Sequence, residues 1–130
     1  MNTQETIQYW KEISDYDLET AKVMLDSKRY LYVGFMCHQV IEKLFKGYYL
    51  FKKNDTPPYT HNLVKLAKNG NFYNEFSDEQ KDFIDYLEPL NIEARYPSYK
   101  EALLKEFTKE KCKEIFDHTQ ELAQWISQKF

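Results

Sequence analysis

His38, Glu42 and Lys46 recur at four-residue intervals, and side chains four apart stack on one face of a helix. An imidazole, a carboxylate and an ammonium on one line can hold a proton, orient a cation and neutralise a phosphate. Gln39 and Lys43 repeat the spacing on the neighbouring row. Two distant residues can join them: His61, beyond a proline-containing break, and Arg95, whose planar guanidinium suits bidentate recognition of phosphate or carboxylate better than an ammonium does. The candidate ligand-binding set is therefore His38, Glu42, Lys46, His61 and Arg95, with Lys46 and Arg95 on a phosphate and Glu42 orienting Arg95. A plainer alternative stands beside it. Glu42 and Lys46 then form an ordinary i, i+4 pair worth about 0.2–0.5 kcal/mol, and His38 and Gln39 hydrogen-bond between helices. His61 then marks a helix start, whose unpaired amides could also hold an anion, and Arg95 pairs with a carboxylate such as Glu42 or Asp17.

No metal or cofactor is expected. Cys37 and Cys112 are the two cysteines, and no Cys-x-x-Cys or other ligand spacing surrounds them. Each falls on an apolar helical face, which points to buried free thiols.

These side chains need a scaffold, and composition narrows it. The chain has 130 residues, 42% hydrophobic and 17% aromatic, enough for one core and too short for two, so residues 1–130 are read as a single domain. Three Gly and four Pro are too few for the tight turns of a sandwich or barrel. The formal net charge of −3 disfavours double-stranded DNA as a partner, since such binding relies on clustered Lys and Arg. The longest uncharged run, Tyr30 to Ile41, falls short of the roughly 20 residues that span a bilayer. With no basic, apolar leader at Met1 to Glu5, a cytoplasmic protein without a membrane partner is expected.

Periodicity places the elements. From Thr3, a plausible N-cap, to about Lys28, the residues Ile7, Trp10, Ile13, Leu18, Ala21, Met24 and Leu25 form one apolar stripe. A second, central helix from about Tyr30 to Lys52 carries Val33, Cys37, Val40, Ile41, Leu44, Tyr48 and Phe51. Pro57 and Pro58 break the chain, and Thr60 restarts a short helix that closes at Asn69-Gly70-Asn71, residue types tolerant of left-handed backbone. Ser77-Asp78-Glu79-Gln80 has the side chains of a capping box. The helix it opens carries Phe83, Ile84, Leu87, Leu90 and Ala94, with Pro89 kinking or splitting it and Pro97 ending it. A last helix runs from about Thr108 to Lys129. The expectation is an all-α, antiparallel up-and-down bundle of four long helices plus one short helix. Trp10, Trp125 and tyrosines near the helix ends could supply an exposed strip for a dimer or partner.

Three local patterns make the chain resemble the HEPN family of prokaryotic helical domains. The most specific is Cys37-His38-Gln39-Val40-Ile41-Glu42-Lys43-Leu44-Phe45-Lys46, which looks like the family's signature helix, preceded by Asp17-Leu18-Glu19-Thr20-Ala21 with Leu25 and Tyr30. Thr60-His61-Asn62-Leu63 and Glu93-Ala94-Arg95-Tyr96-Pro97-Ser98 are the others. The resemblance implies a bundle that often forms homodimers, and many such domains are encoded with a separate minimal nucleotidyltransferase in toxin–antitoxin pairs. Other members are RNases, recognised by an Arg followed after four to six residues by a His. That chemistry is sound, since His can move the 2′-hydroxyl proton while Arg holds the phosphate. After Arg95 those positions are Lys100, Glu101 and Ala102, so no catalytic residue is assigned. The resemblance implies a non-catalytic nucleotide-binding or regulatory partner of a separately encoded nucleotidyltransferase. The alternatives are a metal-independent RNase toxin with a non-standard site, acting on RNA, and a purely structural dimerisation module. Tyr96 and Tyr99 are candidate hydroxyl acceptors for adenylylation, with ordinary packing as their other reading.

Overall fold

A computed structural model describes residues 1–93, 102 and 105–130. Helix α1 spans Thr3–Asp26, α2 Tyr30–Lys53, α3 Leu63–Asn69, α4 Asp78–Leu87, α5 Leu90–Glu93 and α6 Lys109–Ser127, with a 3₁₀ turn at Tyr73–Glu75. No strand occurs among the described residues, and none of their helices is long and apolar enough to cross a membrane. The all-α bundle stands, with three long helices among the described residues, α1, α2 and α6. Pro89 splits the fourth predicted helix into α4 and α5, because its ring excludes a continuous hydrogen-bond ladder.

The ends of the elements are set locally. Asn2, not Thr3, caps α1, its side chain accepting from the Glu5 amide at 2.8 Å. Asn62, not Thr60, caps α3 through the Lys65 amide at 2.9 Å, and the Thr60 hydroxyl accepts from the Asn62 amide instead. The capping box at Ser77 and Gln80 is complete, and Thr108 caps α6. After α3 the left-handed residue is Asn71 (φ 63°). Gly70 is needed for space: a Cβ there would stand 2.5 Å from Phe72 Cε1.

The core is built on α2, where fourteen of 24 residues are buried. Of its predicted seam only Phe51 remains exposed. Phe45 meets Phe72 edge-on at 5.4 Å and stacks on Phe76 at 5.4 Å, so the chain after α3 is clamped onto α2 by aromatic packing. Helix α6 covers another side with Cys112, Ile115, Phe116, Leu122 and Ile126. Cys37 and Cys112 are buried and free, and burial pushes their thiols up to about 12 and about 11, leaving almost no reactive thiolate at neutral pH.

Every residue of the expected α1 stripe is at least half-buried, and Leu18, Met24 and Leu25 pack against the core. Only Ser14 and Ala21 are fully buried, while Ile7, Trp10 and Ile13 are half-buried. Ser14 donates to the Val40 carbonyl at 2.9 Å, which satisfies a buried hydroxyl and ties α1 to α2.

Candidate functional site

The polar line of α2 faces a junction of α1, the proline loop and α4. Glu42 is 1% exposed, so its carboxylate must be paired to be tolerated. Its Oε2 lies 3.2 Å from Lys46 Nζ and 3.9 Å from Lys43 Nζ, and its Oε1 lies 2.9 Å from His61 Nδ1. Burial pushes the Glu42 carboxyl up, but Lys46, His61 and Lys43 together outweigh it and hold it below its ordinary value. The anion thus persists at neutral pH inside the fold.

His38 is fully buried one turn before Glu42. Its Nδ1 is 3.7 Å from Glu42 Oε1 and its Nε2 3.8 Å from Glu88 Oε2, both beyond hydrogen-bond reach, and neither nitrogen has a hydrogen-bond partner among the described residues. The expected interhelical hydrogen bond belongs to Gln39 alone, which donates to Asn91 Oδ1 at 3.1 Å and accepts from Lys43 Nζ at 2.8 Å. Glu88 Oε1 accepts the Val64 amide at 2.9 Å. With Asn62 taking the Lys65 amide, these α3 amides are occupied, so they do not supply the anion site considered for them. His61 serves Glu42 instead.

Lys46 also belongs to a second feature. A cleft of about 380 Å³ is lined by Trp10, Lys46, Leu50, Pro57, Pro58 and Tyr59, among others. The ammonium stands 5.7 Å from the Trp10 ring and 5.9 Å from the Tyr59 ring, within cation–π range. Gly47 makes the crossing possible: a Cβ there would lie 3.1 Å from Trp10 Cβ. Trp10 Nε1 is buried with no hydrogen-bond partner among the described residues.

The structure therefore brings together His38, Glu42, Lys46 and His61. Arg95, Tyr96 and Tyr99 lie outside the described residues. His118 is remote from this group, edge-on to Phe83 at 5.4 Å between α4 and α6. Trp10, Tyr59 and Glu88 are not singled out for this site by sequence; the Pro57-Pro58-Tyr59 run is the available signal for the cleft, and Glu88 carries none. Asp17, expected only as a partner for Arg95, lies in the electrostatic reach of Lys43 and Glu42. Burial pushes its carboxyl up, against the pull of Lys43. Among the described residues no group of His, Cys, Asp or Glu is placed to hold a metal ion.

Comparison with known proteins agrees with this architecture. No curated protein matches the chain. TT1696 from Thermus thermophilus, known from a crystal structure, superposes with a TM-score of 0.82 at 20% identity over 100% of both chains, which establishes the shared fold. The HEPN domain family matches residues 7–129, and this supports a nucleotide- or RNA-related function in general. With the match spanning nearly the whole chain, this protein belongs to the HEPN domain family.

Proposed function

We propose that this chain is a non-catalytic HEPN domain that binds a nucleotide phosphate beside Lys46 and acts as regulatory partner of a separately encoded nucleotidyltransferase in a toxin–antitoxin-like pair. The observation that carries the binding reading is the double role of Lys46. Its ammonium sits 3.2 Å from the buried Glu42 carboxylate and also lines the cleft walled by Trp10 and Tyr59. Aromatic walls suit a base, an ammonium at their foot suits a phosphate, and about 380 Å³ falls in the range of small-molecule sites. Arg95 would add a bidentate contact, and Tyr96 or Tyr99 the hydroxyl on which the partner acts. The pair would work in the cytoplasm, with this chain as a homodimer.

A second reading, a metal-independent RNase, draws on one contact. His61 Nδ1 is held 2.9 Å from Glu42 Oε1 while the His61 side chain is 57% exposed, and a carboxylate-oriented imidazole is how general bases are commonly presented. Thermal unfolding with added ATP or AMP, beside incubation with an RNA oligonucleotide in EDTA, separates the two. Binding predicts stabilisation that grows with the logarithm of nucleotide concentration, about 2.7 kcal/mol at a hundredfold excess over Kd, lost in Lys46→Ala, with intact RNA. RNA cleavage abolished by His61→Ala would replace this reading with the enzyme. Neither stabilisation nor cleavage would leave a structural dimerisation module. For the pairing itself, native purification should return a stoichiometric nucleotidyltransferase, and intact mass would reveal any adenylyl adduct; a solitary chain would contradict the pairing.

A further inference from the structure

Helix α1 carries, on its solvent side, a mainly apolar row that the bundle leaves largely uncovered. Tyr9, Tyr16 and Val23 stand seven residues apart and are 47%, 68% and 60% exposed, with half-buried Ile13 and Thr20 between them. Steps of four, three, four and three residues are the a/d repeat of a coiled-coil seam, here running about 21 Å at about 1.5 Å per residue. Thr20 does not interrupt it, because its hydroxyl donates to the Tyr16 carbonyl at 3.1 Å. Scattered exposed apolar residues need no explanation, but an unbroken seam does.

The border of the seam says what would cover it. Glu5, Glu12, Glu19 and Asp26 also recur every seven residues along its solvent edge, all exposed. Of the four, only Asp26 is in an ion pair among the described residues, with Lys22 at 3.0 Å. A second α1 packed antiparallel would set this acidic row against itself. Packed parallel, the row would face Trp10, Asp17 and Met24, which include no cation. Nucleic acid and anionic bilayers are repelled by the same row. A helix with apolar a and d residues and Lys or Arg beside them satisfies both seam and border.

We infer that the solvent side of α1 is a docking face for a basic amphipathic helix of a partner protein. The inference is independent of the nucleotide reading, since no residue of the seam or its acidic border lines the cleft or pairs with Glu42. The probe is a synthetic three-heptad peptide with Leu at a and d and Lys at e and g, titrated by fluorescence anisotropy beside a twin carrying Glu at e and g. The Lys peptide should bind saturably and the Glu peptide should not. Affinity should fall about tenfold in Glu12→Lys/Glu19→Lys, by a similar factor in Tyr16→Asp, and further as salt is raised. Both variants alter exposed positions, and an unchanged melting curve confirms their fold. Equal binding of the two peptides, failure of the Lys peptide to bind, or binding indifferent to Tyr16→Asp would overturn the proposal. So would sedimentation showing a dimer that Tyr16→Asp dissociates, which would assign the face to a second copy.

Discussion

Glu42 and Glu75 each gather three polar partners around one carboxylate, at different depths of burial. Glu42 is 1% exposed and is met by Lys46, Lys43 and His61. Glu75 has a side chain 25% exposed. It accepts from the Tyr48 hydroxyl at 2.7 Å, from Lys52 at 3.0 Å and from Lys129 at 3.2 Å. In both, burial pushes the carboxyl up and the partners bring it below its ordinary value. What differs is where the partners lead. Around Glu75 they join the 3₁₀ turn, α2 and the C-terminal end, making a stitch at the rim of the aromatic cluster. Around Glu42 they lead outward, Lys46 to the cleft and His61 to solvent, so the buried charge positions groups that a ligand can reach.

The widest separation between the two clusters should appear on truncation. Glu42→Ala is expected to cost about 3 kcal/mol in urea unfolding, because the charge it removes was the buried partner of several cations. A loss below about 1 kcal/mol would make Glu42 no different from a surface pair. Glu75→Ala should cost about 1 kcal/mol, mostly from the Tyr48 hydroxyl left without its acceptor; a larger loss than that of Glu42→Ala would invert the comparison.

Acid titration sharpens it. A carboxyl depressed in the folded state contributes stability that is fully present above its unfolded value and is lost as pH falls through the folded one. Stability measured downward from about pH 4.5, the ordinary value for Glu, should therefore decline. The decline should be shallower in Glu42→Gln and in Glu75→Gln than in the parent. Curves that superpose would remove the electrostatic account of both clusters. The smallest effect expected is that of Lys52→Ala, about 0.5 kcal/mol, shrinking as salt shortens the screening length. Persistence of its full effect at about 1 M salt, where screening acts over about 3 Å, would show that Lys52 acts through packing.

What could be read from the chain was what depends on near neighbours. The line His38, Glu42, Lys46 follows from four-residue spacing, the Ser77–Gln80 capping box from its side chains, and the break at Pro89 from a missing donor. The caps at Asn2 and Asn62 were misplaced by one and two residues because capping types sit close together at each start. The inward stripe of α1 was legible too, but its depth was not. Ile7 and Ile13 are apolar by type, and how far they sink toward α2 is decided by the crossing at Gly47 and by the Ser14 hydroxyl bonding to Val40. The charge state of Glu42 was out of reach for the same reason: its partner His61 arrives on a loop nineteen residues away, and nothing local encodes that meeting. His38 kept its position on the line yet found no hydrogen bond among the described residues.

The chain has three histidines, and they sample three environments: His38 inside, His61 at the rim of the Glu42 cluster and His118 on the far face against Phe83. Imidazole resonances followed by NMR during an ATP titration therefore test the central claim directly. The account predicts a saturable shift of His61 that is lost in Lys46→Ala while His118 stays still. A stationary His61, or equal movement of His61 and His118, would contradict it.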